Sequence, residues 1–267
     1  MGSAARAGVQ IGDQWYCSPA CFARGSHAIL ARLSSRNVVE THRQPRLSLG
    51  LALLSRGYVS EDQLRSAAAQ AQSGAGRLEN ILLERGWVNE KQLAVARSVQ
   101  WGQPALGIDP LDKAVEANLP ISLLRVHSAA PIYFSAERNR LVLGFVYRVD
   151  HTLLQSIEHI TGCRTEPCFI TPTEFENQME RFQVLPGYEE LVSDRPADIS
   201  QIARSLVDCA FDAPGAEVRF ARCKSWVWVR IAGNGNTVDA IFTMKPALYQ
   251  GEEKFSSFAP KVNQALG

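Results

Sequence analysis

Two cysteines near the start of the chain, Cys17 and Cys21, have the residue type and spacing to bind a metal ion. Two cysteines with three residues between them are typical of half a zinc knuckle, in which thiolates hold the metal. Two thiolates leave a tetrahedral shell open, and His27, His42 or a cysteine pair upstream of the first residue could complete it. The alternative is two ordinary thiols in a partly ordered segment. Zinc at Cys17 and Cys21 is therefore one of two expectations.

The other cysteines and histidines are not arranged in the sequence as catalytic residues. Cys163 and Cys168 flank a predicted turn and strand, where buried thiols are expected. His127, His151 and His159 fall at predicted helix ends without a neighbouring Cys, Ser or carboxylate arrangement, which favours solvated or cap-adjacent side chains. Since no nucleophile, base and orienting group can be assembled from the linear order, no enzyme is predicted.

Composition limits the class of protein. The chain has 267 residues, 46% of them apolar and 21% charged, enough for two or three small domains. Lys and Arg number 28 against 27 Asp and Glu, a balance that disfavours nucleic acid and anionic membrane surfaces as partners. Neither a signal-peptide core nor a membrane-length apolar stretch is present, so a cytoplasmic protein without direct membrane insertion is expected. In that compartment the six cysteines are expected to be thiols.

A pattern of leucine and glycine repeats within the chain at a constant offset of 29 residues. In each copy, leucines on one helical face lead to a glycine, Gly57 or Gly86, which suits the left-handed residue after a helix end. Ser60 and Asn89 then stand at N-cap positions of a second helix, with glutamines three residues later as in a capping box. Each copy is predicted to form helix, tight corner and helix, so residues 46–104 make a four-helix unit.

Helical and extended periods alternate beyond the repeat. Residues 105–182 predict the order helix, strand, strand, helix, strand, helix, which is a compact α+β lobe. Asp150 is expected to cap the central helix of this lobe and Gly162 to end it. Thr171 and Glu174 are spaced as a capping box at the start of the last helix.

The remaining segments complete the predicted organisation. Residues 1–45 form an N-terminal cysteine-containing segment with one or two helical turns at residues 28–33. Residues 183–197 are expected to be an exposed linker, residues 198–250 a unit of one helix and three strands, and residues 251–267 a tail. The predicted fold class is α+β: a small four-helix N-terminal repeat unit, a compact helix-strand-strand-helix-strand-helix lobe, and a small third α/β unit.

Two tryptophans lie in a predicted strand of the third unit. Trp226 and Trp228 alternate with Val227 and Val229, so the two indole rings share one face of the strand. They are expected to cover a small core, and an exposed docking surface is the alternative.

The repeat and the lobe, roughly residues 46–182, resemble the N-terminal domain of the assembly ATPases of type II secretion and type IV pili. The family motif is Arg-Leu-Gly-x-x-Leu-x-x-x-Gly-x-Ile, continued as Gln-Leu-x-x-Ala-Leu-x-x-Gln. The second copy keeps its residues at Arg77, Leu78, Leu82, Gly86, Val88, Gln92, Leu93, Ala96 and Gln100, and the first at Leu49, Gly50, Leu53, Gly57, Val59, Gln63, Leu64 and Ala67. Two positions depart from the motif. Ser48 stands at the arginine position of the first copy, and Glu79 stands at the glycine position that follows Leu78 in the second copy.

Some members of that family bind cyclic di-GMP through this repeat, so the resemblance implies such a site here. The implied contact residues are Leu49, Gly50, Leu53, Gly57, Val59, Arg77, Leu78, Leu82, Gly86, Val88 and Gln100. Cyclic di-GMP is a compact dianion with two guanine faces, which stacked guanidinium groups and helix-start amides can hold. Glu79 is unfavourable, because it adds bulk and negative charge near a phosphate. The alternative is that the leucines are only the four-helix core and the glycines only helix ends.

The third unit extends the resemblance. Residues 216–220 and 230–233 are similar to altered versions of the strands that precede the motor core, so residues 198–250 are interpreted as a degenerate pre-motor domain. No Gly-x-x-x-x-Gly-Lys-Ser/Thr loop occurs in the 267 residues, and ATP hydrolysis is not predicted. The resemblance implies a non-catalytic regulatory or adaptor protein that docks on secretion or pilus machinery proteins. A structural interaction module without a nucleotide ligand is the alternative.

Overall fold

The computed structural model describes residues 8–35, 47–107, 118–181, 187–213 and 215–245. His42 and the predicted tail at residues 251–267 lie outside these ranges. The helices in chain order are α1 (Pro19–Ser35), α2 (Leu49–Ser55), α3 (Glu61–Gln72), α4 (Leu78–Glu84), α5 (Glu90–Trp101), α6 (Ile121–Val126), α7 (His151–Thr161), α8 (Pro172–Arg181) and α9 (Ile199–Phe211). The strands are β1 (Val9–Ile11), β2 (Gln14–Tyr16), β3 (Ala129–Ser135), β4 (Arg140–Phe145), β5 (Arg164–Phe169), β6 (Tyr188–Ala197), β7 (Glu217–Cys223), β8 (Trp226–Gly233) and β9 (Asn236–Met244). Helices and two sheets together give the mixed α+β class that the sequence predicts.

The helical repeat forms two helix-corner-helix hairpins that pack on each other. Helix α2 lies against α5 and α3 against α4, so each short helix contacts the long helix of the other copy. Gly57 and Gly86 have φ angles of 68° and 64°, in the left-handed region that glycine adopts without strain. The capping boxes at Ser60 and Asn89 both form. The predicted helix, corner and helix is confirmed in both copies.

The lobe contains a three-stranded sheet in the order β3-β4-β5, covered by helices. Strands β3 and β4 form an antiparallel hairpin, and β5 runs parallel to β4. Asp150 accepts hydrogen bonds from the first amides of α7, and Gly162, with φ 74°, ends that helix. Thr171 and Glu174 bond reciprocally at the start of α8. The predicted element order of this lobe is confirmed.

The second sheet has six strands in the order β2-β1-β7-β8-β9-β6. Its centre is the antiparallel run β7-β8-β9, and β1 and β6 add to the two sides as parallel neighbours of β7 and β9. Helices α1 and α9 pack on one face of this sheet, and the core of the lobe extends onto the other. The sheet is therefore the middle layer between a helical layer and the lobe.

The two faces of strand β8 show how the sequence produces this layering. Val227 and Val229 are fully buried in the core that includes α1 and α9. Trp228 is fully buried in the core of the lobe, and Trp226 packs partly buried against the same core. Because side chains alternate along a strand, one segment supplies apolar contacts to both neighbouring layers. The prediction that the two tryptophans cover a core is confirmed.

Two predictions about connecting segments are wrong. Within the linker expected at residues 183–197, Tyr188–Ala197 is strand β6, paired in parallel with β9. In the N-terminal segment, the expected one or two turns at residues 28–33 belong to a helix of 17 residues, α1. The backbone N–H and C=O groups of β6 find partners on a strand about 50 positions later, which no local pattern indicates. None of the described helices is long and apolar enough to cross a membrane.

Candidate functional site

The two short helices of the repeat begin differently. At α2 the Ser48 side chain accepts a hydrogen bond from the backbone N–H of Leu51 at 3.3 Å. At α4 the equivalent residue is Arg77, which makes no side-chain capping bond and is exposed. The departure from the motif at Ser48 thus exchanges an arginine for a helix cap. Arg77 leaves a guanidinium group at the surface of the second copy.

The implied ligand residues divide into two groups by burial. The first group is buried in the bundle core and consists of Leu53, Val59, Leu82 and Val88. The second group reaches the surface and consists of Leu49, Gly57, Arg77, Leu78, Gly86 and Gln100. Gly50 is buried at the first turn of α2. The structure therefore places part of the implied set in the bundle core and part of it at the surface.

Gly50 and Glu79 occupy the same place in the two copies and have different surroundings. A Cβ at Gly50 would lie 3.0 Å from Cδ1 of Leu64, which leaves no room for a side chain without movement of that leucine. The carboxylate of Glu79, in contrast, lies 3.6 Å from Nη2 of Arg97 on α5. The second copy therefore carries an ion pair where the first carries a glycine.

Arg97 is buried at the junction between the repeat and the lobe. Its side chain is only 4% exposed, and its guanidinium carbon lies 5.3 Å from the ring centroid of Tyr147 in the lobe. Burial lowers the pKa of Arg97, and the negative charge of Glu79 opposes that shift. Glu79 is thus the counter-charge that makes a buried guanidinium tolerable.

Cys17 lies between β2 and α1, Cys21 lies in the first turn of α1, and both are free thiols. A hydrogen bond with Ser18 is the largest cause of a lowered pKa at Cys21, and Arg24, whose Nη2 lies 3.7 Å from the sulfur, adds to it. A lowered pKa favours the thiolate form that binds metals. In the described part of the chain, no third Cys, His, Asp or Glu joins these two thiols in a group of close metal-binding atoms. His27 is exposed on α1.

His127 forms a buried cluster that the sequence did not reveal. Its Nδ1 lies 3.0 Å from Oδ2 of Asp150, and its Nε2 lies 3.3 Å from Sγ of Cys223. Lys224 places its ammonium group 2.7 Å from the same Asp150 oxygen. The His127 side chain is 5% exposed, so the expectation of a solvated or cap-adjacent histidine is wrong on solvation. The expectation fails because Cys223, which contacts the ring of His127, lies 96 residues away in the sequence.

Both carboxylate oxygens of Asp150 have polar partners in this cluster. Oδ1 of Asp150 accepts from the amides of Thr152 and Leu153, and Oδ2 faces His127 and Lys224. Burial alone would raise the pKa of Asp150, but the bonds from His127 and Lys224 outweigh it and hold that pKa well below its usual range. Burial raises the pKa of the Cys223 thiol to about 12, so the sulfur beside Nε2 of His127 is in the thiol form.

His127, Asp150 and Cys223 are also the described side chains close enough together to hold one metal ion. The Asp150 oxygens are already occupied by four donors, and the Lys224 ammonium repels a cation. The geometry favours a hydrogen-bonded network that joins the lobe to strand β7.

The other predicted thiols and histidines lie as expected. Cys163 and Cys168 are buried, and burial raises the pKa of Cys168 to about 12. His159 is exposed near the end of α7, and His151 is half-buried at the start of that helix. None of these four residues joins the described groups of metal-binding side chains.

The sequence is similar to type IV pilus assembly ATPases. It is 26% identical over 129 residues to PilB of Thermus thermophilus, covering 48% of this chain and 14% of that protein. It is 24% identical over 157 residues to PilB of Myxococcus xanthus, covering 57% of this chain and 27% of that protein. The chain therefore spans about a seventh to a quarter of the length of these relatives. No protein-family model matches it.

Among solved structures, the chain is similar to MshE with cdg, at 22% identity and a TM-score of 0.44, over 52% of this chain and 100% of that one. It is also similar to the N-terminal domain of XpsE, at 19% identity and a TM-score of 0.36, over 51% of this chain and 94% of that one. The predicted resemblance to the assembly ATPases is confirmed by the sequence matches to the two PilB proteins, over about half of the chain.

Proposed function

We propose that this chain is a non-catalytic regulatory module of type IV pilus or type II secretion machinery, and that its helical repeat binds cyclic di-GMP. The observation that carries the proposal is the duplicated corner, with the same left-handed glycine and the same capping box at an offset of 29 residues. Two matched half-sites suit a ligand with two-fold symmetry.

Arg77 and Leu78 are the residues proposed to contact the ligand in the second copy. A guanidinium group is planar and weakly hydrated, so it can stack on a guanine ring and remain close to a phosphate. Arg77 is exposed and Leu78 half-buried at the start of α4, where both can meet a ligand. The core residues Leu82 and Val88 would act only by fixing the position of that helix.

Titration calorimetry with cyclic di-GMP tests the proposal. The unmodified chain should release or absorb heat with a saturable isotherm, and Arg77→Ala should weaken binding about tenfold through loss of stacking and charge. Arg65→Ala is the matched control, because Arg65 is an exposed arginine on α3 outside the implied site. Equal weakening by both substitutions would indicate only a general charge effect and contradict the site.

The alternative is a structural interaction module with no nucleotide ligand. The observation that favours it is the Glu79–Arg97 ion pair, which puts a negative charge in the second copy. The absence of any heat change with the unmodified chain would support this alternative.

The partners are proposed to be proteins of the pilus or secretion machinery in the cytoplasm. Capture of such proteins by the tagged chain from a cytoplasmic extract of its native cell, repeated with and without cyclic di-GMP, tests this role. We expect the set of captured machinery proteins to change with the nucleotide, and an unchanged set would argue against a regulatory function.

Zinc at Cys17 and Cys21 is a separate proposal, supported by the lowered pKa of Cys21. Mass spectrometry of the purified chain should then find about one zinc per chain, or per pair of chains if two copies share the ion. Cys17→Ser should abolish it. Zinc well below one ion per two chains in the unmodified protein contradicts the site.

A further inference from the structure

Strand β6 lies at one end of the six-stranded sheet, where among the described strands it pairs with β9 alone. The N–H of Thr237 on β9 donates to the carbonyl of Gly187 at 2.7 Å, and this bond fixes how backbone groups alternate along β6. Up to Ser193, the odd-numbered residues direct their N–H and C=O groups to β9, and the even-numbered residues direct theirs to the other side. An edge of this kind can pair with a further strand.

The features that usually protect a sheet edge are confined to the last residues of β6. The register with β9 shifts between Ser193 and Ala197, and Pro196 has no backbone N–H to donate. From Tyr188 to Ser193, in contrast, the pairing with β9 is continuous. This part of the strand, called the open edge below, has the regular backbone that a neighbouring strand requires.

The side chain of Glu190 on the open edge is engaged within the chain. Its carboxylate accepts hydrogen bonds from the backbone N–H groups of Ile121 and Ser122 at 2.8 Å and 3.0 Å. A charged side chain on an edge strand normally opposes the approach of a second strand. Here the carboxylate is held at the start of α6, so it fixes β6 in position and is not directed at an incoming strand.

Two consecutive apolar side chains of the open edge reach the surface. Leu191 is 37% exposed and Val192 is 43% exposed. Because side chains alternate along a strand, these two lie on opposite faces of the sheet. A strand added at this edge would cover part of both side chains and gain apolar contacts on each face.

A second copy of the same strand fits the open edge in an antiparallel register centred on Leu191. In this register Leu191 lies opposite Leu191 of the second copy, Glu189 lies opposite Ser193, and Glu190 lies opposite Val192. Glu190 and Val192 are even-numbered, so their outward backbone groups exchange hydrogen bonds across the junction. Each carboxylate thus meets a neutral residue, and the exposed leucine meets its own copy.

Charge distinguishes this register from its two neighbours. A two-fold axis at Glu190 would place two carboxylates directly opposite each other, which is destabilising. An axis at Val192 would require the residues after Ser193, where the register is interrupted. With the axis at Leu191, the exposed Arg195 comes two positions after Ser193, on the diagonal of Glu189 of the second copy, where long side chains of opposite charge can meet.

We propose that the open edge, Tyr188–Ser193, binds a second copy of this chain. The two β6 strands pair antiparallel about a two-fold axis at Leu191, and the two six-stranded sheets become one continuous sheet. Such an interface is isologous, because the same residues contribute on both sides. The contact is short, so it belongs with weak and reversible interfaces.

Sedimentation equilibrium of the unmodified chain over a range of concentrations tests the dimer. We expect a species of twice the 29.4 kDa of one chain, with a Kd of about 10–100 μM. A mass of one chain at every concentration up to about 1 mM, well above that Kd, would overturn the proposal. This result would also be found if another part of the same chain covered the open edge.

Substitutions at Leu191 test whether this residue meets its own copy. Leu191→Lys and Leu191→Glu should each weaken the dimer about tenfold, because each places two like charges opposite each other. An equal mixture of the two variants should contain more dimer than either variant alone at the same total concentration, because unlike charges then face each other. Leu51→Lys is the matched control, since Leu51 is an exposed leucine on α2, and it should leave the dimer unchanged.

Val192→Pro is a second variant that leaves the side chain of Leu191 in place. It removes an outward N–H and leaves the groups that pair with β9, a position at which an edge strand tolerates proline. It should be monomeric with a cooperative thermal transition, and it decides the matter if the Leu191 variants fail to fold. A dimer that persists in Val192→Pro, a dimer equally weakened by Leu51→Lys, or no gain of dimer on mixing two folded Leu191 variants would overturn pairing at the open edge.

Discussion

At the scale of single residues, the glycine corners set the shape of each repeat. Gly57 and Gly86 are left-handed, and nothing lies within 4 Å of the position that a Cβ would occupy at either one. The requirement for glycine is therefore conformational, because a Cβ has room at both positions and the strain of a substitution lies in the backbone.

Substitution of Gly86 by alanine should lower the free energy of unfolding by about 1–2 kcal/mol, the cost of a left-handed alanine. The measurement is urea denaturation followed by circular dichroism. Gly107→Ala is the matched control, since Gly107 is not left-handed and a Cβ at this position would make only an ordinary van der Waals contact. A Gly86→Ala protein as stable as this control would contradict a conformational requirement for glycine at the corner.

The residues whose partners are close in sequence could be predicted, and those with distant partners could not. The capping boxes at Ser60 and Asn89 depend on a residue three positions later, which a sequence pattern displays. The contact between His127 and Cys223 spans 96 residues. Likewise, the motif marked Glu79 as a departure, but only the fold places Arg97 beside it.

Among the elements, strand β6 is joined to the sheet by a buried carboxylate in addition to its backbone pairing with β9. Asp239 on β9 accepts hydrogen bonds from the Tyr188 hydroxyl on β6 at 2.9 Å, the Trp228 indole at 2.8 Å and the Arg230 guanidinium. Asp239 is fully buried, and Arg230 is 12% exposed. The carboxylate joins three neighbouring strands in one network.

Asp239→Asn should destabilise the protein by about 3–5 kcal/mol, because it leaves the Arg230 cation buried without its counter-charge. Tyr188→Phe removes one of the donors and should cost only about 1 kcal/mol. Chemical denaturation of both variants measures the two losses of unfolding free energy, and the loss for Asp239→Asn should be the larger. Equal, small losses would show that the network contributes little to the attachment of β6.

Strand β6 also shows the limit of pattern reasoning for elements. Its segment contains Pro196 and several charged residues, which is typical of a linker. The parallel pairing with β9 supplies partners that the segment itself does not indicate. In contrast, β7, β8 and β9 were predicted, because consecutive antiparallel strands joined by short turns leave a local pattern.

At the scale of the whole molecule, the lobe and the six-stranded sheet are joined by polar contacts as well as by a shared apolar core. The cluster of His127, Asp150, Cys223 and Lys224 connects α6 and α7 to the end of β7. Arg219 on β7 donates to the carbonyl of Ile160 near the end of α7 at 3.0 Å. Arg222 on the same strand donates to the carbonyl of Leu33 at the end of α1, at 2.7 Å. Strand β7 thus connects the lobe with the helical layer on the opposite face of the sheet.

Because the pKa of Asp150 is lowered in the folded state, we expect the free energy of unfolding to depend on pH. The pKa of Asp150 in the folded state lies below its unfolded value of about 3.9, so the carboxylate stabilises the fold above that pH. This contribution is lost as the pH falls through the folded-state pKa. His127, Cys223 and Lys224 are the titratable groups that face the carboxylate.

Asp150→Asn should therefore lower the free energy of unfolding by about 2 kcal/mol at pH 7. The difference in unfolding free energy between this variant and the unmodified chain should narrow as the pH falls below about 4. Denaturation curves across this range provide the measurement. The control is Asp62→Asn, in which the side chain is 90% exposed and little change is expected at any pH. A gap that stays constant with pH would contradict the role of the Asp150 charge.

The proposed function requires that a cyclic dinucleotide binds at the glycine-cornered repeat and not elsewhere in the chain. Amide-resolved nuclear magnetic resonance of the isotope-labelled, unmodified chain during titration with cyclic di-GMP tests it most directly. We expect saturable shifts at the amides of Gly57, Arg77, Leu78 and Gly86, with the amides of β7, β8 and β9 unmoved. Saturating ligand that leaves the repeat amides in place, or moves only residues outside residues 47–104, would contradict it.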